Sequence, residues 1–492
     1  MSPPETPHLD LFLGGKETPA ASGERRPVLD PATNAPVATT AFAGREDARH
    51  AMELAEEAFH KSGWATDDGA KRTRALFRLA QRLESEIEEF AALETRSQGK
   101  TLRESKGDIG YVVRTLEYFA GLADKVQGET IPVPGGRLDY TLREPLGVTV
   151  HIAPWNFPLV LAMRSVAPAL AAGNAVVLKP ATLTPLTALR LARVAGECGL
   201  PPGIFNVIVG SGSEVGETLI ADPRCRAVSF TGSVEVGHRV AELAAHRMVP
   251  LTLELGGKGP AIVFPDADLD RAVKGVGWGI FGNAGQMCWA GSRLLVHASV
   301  REEFLGRLRA FAEKLRVAPG MEPGAEMGPL VSAEQRARVA GFVEEARAAG
   351  ARAVTGGTAY PEGPLSKGHF YPPTVLDAVA PDMRVVREEV FGPVLSVLPF
   401  ADTEEAVRLA NDSTFGLLAS LWTRDLATAH SVARRLEVGM VMVNDPPATF
   451  PQSPFSGTKE SGIGFEQGVL AVEAYTRRKN VVVNLGAGRP RA

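Results

Sequence analysis

Cysteine is nearly absent: Cys198, Cys225 and Cys288 are the only three in 492 residues, too few and too scattered for a disulfide framework or for the paired spacings of a zinc site. No bound metal is therefore expected. Charge of one sign is lacking as well. With 53 basic against 57 acidic residues and a net charge of -4, the chain has no general attraction for nucleic acid or anionic lipid. Long apolar runs are missing too. The longest charge-free stretch, Leu146 to Met163, is interrupted by His151, Pro154, Asn156 and Pro158, which excludes a membrane span as its reading. The opening MSPPETPHLD has no basic segment leading into an apolar core, so no secretory leader is expected. A cytoplasmic, reducing setting follows as the expectation. No internal repeat or low-complexity tract stands out.

What is present is a globular composition, 45% hydrophobic and 22% charged, long enough for two or three domains. From Glu46 to about Val126 apolar residues recur at helical spacing. GETIPVPGGRLDYTLREPLG then reads as a hairpin of extended strands around a Pro-Gly-Gly turn. From Gly147 short β-branched runs alternate with helical segments, as in GVTVHIA, NAVVLKP, IFNVIVG, RAVSFTG and LTLELGG. This predicts an α/β fold with doubly wound parallel sheets. The alternation resumes after PAIVFPDADLD and runs to about Asn444. In such sheets ligands bind beyond the carboxyl ends of the strands, so the loops there are where chemistry is sought.

Cys288 lies in GNAGQMCWAGSR, between a predicted helix and the apolar run LLVHA. A lone cysteine is more often a small buried hydrophobe than a nucleophile, and only partners change that reading. Glu254 closes the apolar strand LTLELGG, where a carboxylate serves either as a general base lifted by burial or as half of a salt bridge. Asn156, in the turn APWNFP, either stabilises that turn or donates its amide to an oxyanion, together with the Cys288 backbone N–H. Lys179 ends NAVVLK, and GSGSEVG puts Gly210, Gly212 and Gly216 between strand and helix. That spacing is one residue longer than the usual dinucleotide fingerprint. FTGS sets Gly232 and Ser233 at a predicted helix N-terminus, where free N–H groups hold a phosphate.

Taken in chain order, APWNFP, LKP, GSGSEVG, FTGS, LELGGK, GQMCWAGSR, EEVFGPV and PFSGTKESGIGFE resemble the aldehyde dehydrogenase superfamily, from about residue 10 to 485. The resemblance implies a Rossmann-like dinucleotide-binding domain (1–126 and 146–254), a catalytic domain (255–455) and an oligomerisation segment (127–145 and 477–492). It also implies NAD- or NADP-dependent oxidation of an aldehyde through a cysteine thiohemiacetal and thioester, in a homodimer or homotetramer. Cys288 is then the nucleophile, Glu254 the base, Asn156 the oxyanion donor and Glu466 a second, proton-relaying carboxylate. Ile152, Ala153, Pro154, Trp155, Lys179 and Thr182 fall to the cofactor, as do Gly212, Gly216, Phe230, Gly232 and Ser233. Leu255, Gly256, Glu389 and Phe391 complete that set. Retention of Glu254 beside Cys288 argues against the coenzyme A acylating branch.

Some positions depart from the family pattern. Thr182 replaces a glutamate that disfavours a 2′-phosphate in many relatives, so dual or NADP-leaning use is expected. Arg164 stands where relatives line the aldehyde tunnel, which suggests a semialdehyde or hydroxyaldehyde whose polar tail it pairs with, or else a bridge to a neighbouring acid. Gly282 stands where succinate semialdehyde enzymes carry a second arginine. Trp289 either narrows the pocket or packs beneath it. Gly259 and Phe465 also depart from the usual residues, with no functional account. The rival readings are a catalytically silent protein of the same fold and a thiol esterase that uses no nicotinamide.

Overall fold

A computed structural model describes residues 7–486. Residues 1–6, and the part of the expected oligomerisation segment from 487 to 492, lie outside the described residues. The helix-rich opening forms Arg45–Lys61, Gly69–Ser85, Ile87–Gln98 and Leu102–Ala120, each turning its small and branched residues inward.

The α/β alternation resolves into two large sheets. In the first, Leu251–Glu254, Cys225–Thr231, Val148–Ile152, Ala175–Lys179 and Phe205–Val207 lie side by side in parallel. These strands are buried on both faces, as parallel strands covered by helices must be. Ala175–Lys179 is buried along its whole length. Antiparallel strands close both edges: Leu11–Leu13 and Lys16–Thr18 on one side, and Gly462–Ile463 on the other, where Gly462 pairs with Glu254. The strand order reverses between Val148–Ile152 and Cys225–Thr231, so their following loops splay apart and leave the crevice expected at such a switch point.

The second sheet runs Arg352–Thr355, Thr374–Asp377, Val394–Phe400, Arg293–His297, Pro260–Val263, Leu418–Trp422, Met440–Val443. All neighbours are parallel except Arg352–Thr355. Its first strand begins only a few residues after Glu254. A third, three-stranded sheet joins Thr130–Ile131, Arg137–Pro145 and Thr476–Asn484. The predicted hairpin is thus extended by the last strand of the chain.

One buried side chain ties these parts together. Asn174 Oδ1 accepts from the backbone N–H of Leu146 (2.7 Å) and Gly147 (3.0 Å). Its Nδ2 donates to the carbonyls of Ala169 (3.1 Å) and Tyr475 (2.9 Å). Asn174 therefore fixes the end of the helix Pro158–Ala171, the entry to the strand Val148–Ile152 and the chain just before the last strand. Asn174→Ala removes the side-chain partner of the Leu146 and Gly147 N–H groups and of the Tyr475 carbonyl, and at ~1–3 kcal/mol for each unsatisfied group it lowers stability by at least about 3 kcal/mol. A fall in the urea midpoint at unchanged m-value is the expected measurement.

Candidate active site

The nucleophile candidate sits where the two sheets face each other. The helix Leu269–Phe281, capped by Asp268, which accepts from the Arg271 N–H at 3.2 Å, ends in a tight turn. Asn283 (φ 46°) and Ala284 (φ 52°) take left-handed backbone there. Such residues cost ~1–3 kcal/mol each and persist only when their surroundings hold them. Glu104 supplies part of the hold: it accepts from the Asn283 N–H at 2.8 Å, while its other oxygen accepts from the N–H and hydroxyl of Thr101. Asn283 Nδ2 donates to the Asn156 carbonyl at 2.9 Å, and Asn156 Nδ2 donates to the Gln286 carbonyl at 2.9 Å. One amide hydrogen of Asn156 is thereby anchored and the other has no partner among the described residues. Cys288 follows, half-buried.

A cavity of about 420 Å³ opens at this point. Its walls bring together Cys288, Asn156, Pro154 and Trp155 from the predicted set. Gly232, Ser233, Leu255, Gly256, Glu389 and Phe391 line it as well. Trp155 and Phe391 meet edge to face at 5.2 Å. Glu389 accepts from the Gly257 N–H at 2.9 Å, and burial lifts its carboxyl to about 7. Ser233 caps the helix Val234–Arg247.

The remaining cofactor candidates gather farther out. A Cβ on Gly216 would touch Ile152 and Lys179, and Ala153 donates its N–H to the Lys179 carbonyl at 3.1 Å. Lys179 is buried, and desolvation lowers its ammonium to about 8. Gly212 opens a π-helical turn, Gly212–Gly216. Phe230 is buried against Gly232, and Thr182 is exposed.

Behind the cavity lies a charged cluster. Glu254 is 2% exposed and neither of its carboxylate oxygens has a hydrogen-bond partner. Desolvation, then Glu466, lift its carboxyl well above the usual range, while Arg164 draws it down. Arg164, 1% exposed, sets Nε 3.1 Å from Glu466 Oε2 and lays its guanidinium over the Phe455 ring at 4.1 Å. Of the two readings the sequence left open for this arginine, the structure places it beside an internal acid, while its Nη2 has no hydrogen-bond partner. Burial pushes the Cys288 thiol up to about 12, with Arg164 pulling it down and Glu389 and Glu254 pushing it up. At neutral pH that sulfur keeps its proton until a base takes it.

Trp289 is half-buried and packs against Phe157 (5.6 Å) and Phe455 (6.0 Å), forming an aromatic wall beside the nucleophile. Glu104, Asn283, Phe157, Phe455, Ser229 and Tyr475 were missed in the sequence. Asn283 alone carried a signal, an asparagine among glycines in GNAG, since asparagine tolerates left-handed backbone. Among the described residues no group of three or more His, Cys, Asp or Glu is placed to hold a metal ion, and no helix is long and apolar enough to cross a membrane.

Fold and site together define an α/β protein with a thiol, a buried acid and an amide donor at the end of a long cleft. The sequence matches the Aldehyde dehydrogenase family over residues 18–481. It is 41% identical over 475 residues to the betaine aldehyde dehydrogenase of Bacillus subtilis (strain 168), covering 96% of this chain and 97% of that one. Among solved structures, an NAD+ complex of an aldehyde dehydrogenase from Bacillus cereus superposes with a TM-score of 0.95 at 40% identity, covering 97% of each chain. A betaine aldehyde dehydrogenase from Staphylococcus aureus in complex with NAD+ gives 0.96 at 37% identity, over 98% of this chain and 96% of that one. The chain belongs to the aldehyde dehydrogenase family. It is accordingly an oxidoreductase acting on aldehydes.

Gly257 tests how tightly the nucleophile is seated, because a Cβ there would stand 2.1 Å from the Cys288 carbonyl oxygen. Displacements of about 1 Å cost ~10²-fold in rate. Gly257→Ala is expected to lower kcat at least tenfold, read in a steady-state assay at saturating substrate.

Proposed function

We propose that the chain oxidises an aldehyde to a carboxylic acid through a covalent intermediate on Cys288, with NAD or NADP as the redox partner. The observation that carries this reading is the thiol on the cavity wall with Asn156 beside it and an unpartnered, buried Glu254 behind it. Glu254 takes the thiol proton, and the sulfur adds to the carbonyl carbon. Asn156 Nδ2–H and the Cys288 N–H stabilise the oxyanion. After oxidation of the thiohemiacetal to a thioester, Glu254 first gives up the thiol proton to solvent and then takes one from water, whose oxygen attacks the acyl carbon and releases the acid and the Cys288 thiolate.

The cleft fits a dinucleotide on its own geometry. Lys179 holds a buried ammonium whose contact is a 3.3 Å bond to the Pro180 carbonyl. Ser233 starts a 14-residue helix with free N–H groups toward the cavity, and Glu389 with Phe391 closes the other end. The bound nicotinamide supplies the hydride acceptor. Thr182 places no carboxylate near Lys179, so a 2′-phosphate meets no repulsion there.

The aromatic wall favours an aldehyde with an uncharged tail. Arg164 lies over Phe455, and the buried Lys100 ammonium lies 4.1 Å from the Phe157 ring centroid. Ring faces that already carry protein cations are poor seats for a cationic substrate, which separates this pocket from what the betaine aldehyde relatives are named for. The three unpaired thiols suit a cytoplasmic protein. The sheet Thr130–Ile131, Arg137–Pro145, Thr476–Asn484 exposes Leu138, Leu142, Val482 and Val483, a face suited to a second copy in a homo-oligomer.

Cys288→Ala is expected to abolish NAD(P)H formation over an aldehyde panel. Glu254→Gln should cut turnover by ~10²–10⁴-fold. Undiminished dehydrogenation by Cys288→Ala, or silence of the unaltered protein with every aldehyde and both cofactors, overturns the reading, the latter in favour of a non-catalytic role. Thr182→Glu should lower kcat/KM for NADP at least tenfold and leave that for NAD within about threefold, since a carboxylate facing a phosphate in a partly buried cleft costs ~1–2 kcal/mol or more.

A further inference from the structure

Two buried carboxylates, Glu254 and Glu466, and one buried guanidinium, Arg164, gather near the Cys288 thiol. Arg164 is the centre of the group: Glu466 lies 3.1 Å from its Nε, and Glu254, Tyr111 and Cys288 are close enough to feel its charge. Glu466 has a second neighbour in Ser229, whose hydroxyl donates at 3.5 Å. Glu254 has no such partner on either oxygen. Glu389 acts on the thiol from the opposite wall. His151, behind Ser165 and Tyr475, is held neutral by burial, which pushes it down to about 3, so it adds no charge.

One positive charge cannot neutralise two buried carboxylates, and like charges in a shared site do not both ionise readily. Of the two, the acid with the ion pair and the hydroxyl holds a charge more readily. The acid without partners is the one that takes up and gives up a proton.

We propose that Arg164 is a positioning residue: by holding Glu466 as the charged member of the pair, it makes Glu254 the carboxyl that exchanges a proton with Cys288 and with water. In that exchange the S–H bond breaks, its electron pair stays on sulfur, and the proton goes to a Glu254 oxygen. Arg164 acts only through Glu466 and through its field on Glu254 and the thiol. This rests on the aldehyde-oxidising reading of Cys288 and Glu254 and gives Arg164 a task unrelated to the substrate's tail.

The two partners have opposite signs. Removing the guanidinium favours protonated Glu254, so the acid limb of kcat/KM moves to higher pH. Removing the Glu466 charge relieves repulsion and leaves Arg164 to Glu254, so the limb moves to lower pH. The test measures pH profiles of kcat/KM for the unaltered protein, Arg164→Met, Arg164→Lys and Glu466→Gln, with one uncharged and one carboxylate-bearing aldehyde. Cys288 alkylation by iodoacetamide in cofactor-free protein is followed in parallel, against a Cys288→Ala blank.

Shifts of at least ~1 pH unit are expected, upward for Arg164→Met and downward for Glu466→Gln, with Arg164→Lys returning toward the starting profile. Alkylation at pH 8 should slow about tenfold in Arg164→Met and quicken in Glu466→Gln, one pKa unit being tenfold in thiolate. Limbs that stay put, move together, or change only KM for the carboxylate-bearing aldehyde overturn the proposal. Should Arg164→Met not fold, Glu466→Gln decides alone: a downward limb supports it and any other outcome overturns it. Alkylation needs no turnover, so failure of the aldehyde reading would show as inactivity with the alkylation shifts intact.

Discussion

The structure depends on five residues, Leu255 to Gly259, that carry the chain from the last strand of one sheet to the first strand of the next. Glu254 ends one sheet and Pro260 begins the other, so the cleft between the sheets is as narrow as this crossing allows. Close approach explains its glycines. Gly257 lies against the carbonyl of Cys288, and Gly259 against those of Leu418 and Ala290, where a side chain would push the nucleophile's loop away. Gly259, without a role in the sequence, thus acquires one from packing.

The fold was legible because both sheets are built from parallel strands covered on both sides, and such strands appear in sequence as short continuous apolar runs between helical periods. The edges were not. Gly462–Ile463 has two residues and no apolar pattern of its own, and it pairs with Leu251–Glu254 only because the tail folds back. Cys288, Asn156 and the motifs at the strand ends were readable since each is a local turn or terminus. Arg164 shows the opposite case. Its place on the helix Pro158–Ala171 is local, but its partner lies some three hundred residues away, so the sequence left both a substrate tail and a neighbouring acid open. The structure chooses the acid.

Burial does more here than weaken acids singly. Cys288, Glu254, Glu389 and Glu466 are all shifted toward their neutral forms by loss of water, so the net charge of the pocket is small and each proton matters. In a low-dielectric cluster a single guanidinium sets the order in which its neighbours ionise. Aromatic rings make the low dielectric possible. Phe455 lies under Arg164 and against Trp289, so the same ring excludes water from the ion pair and shapes the wall beside the sulfur.

Phe455 and Glu466 also bond to each other through their backbones, N–H to carbonyl in both directions, on the same stretch that carries the sheet-closing strand Gly462–Ile463. Until that hairpin docks, the buried guanidinium lacks both its counter-ion and the ring beneath it, so one short stretch of tail closes an edge of the first sheet and completes the charge cluster around the thiol.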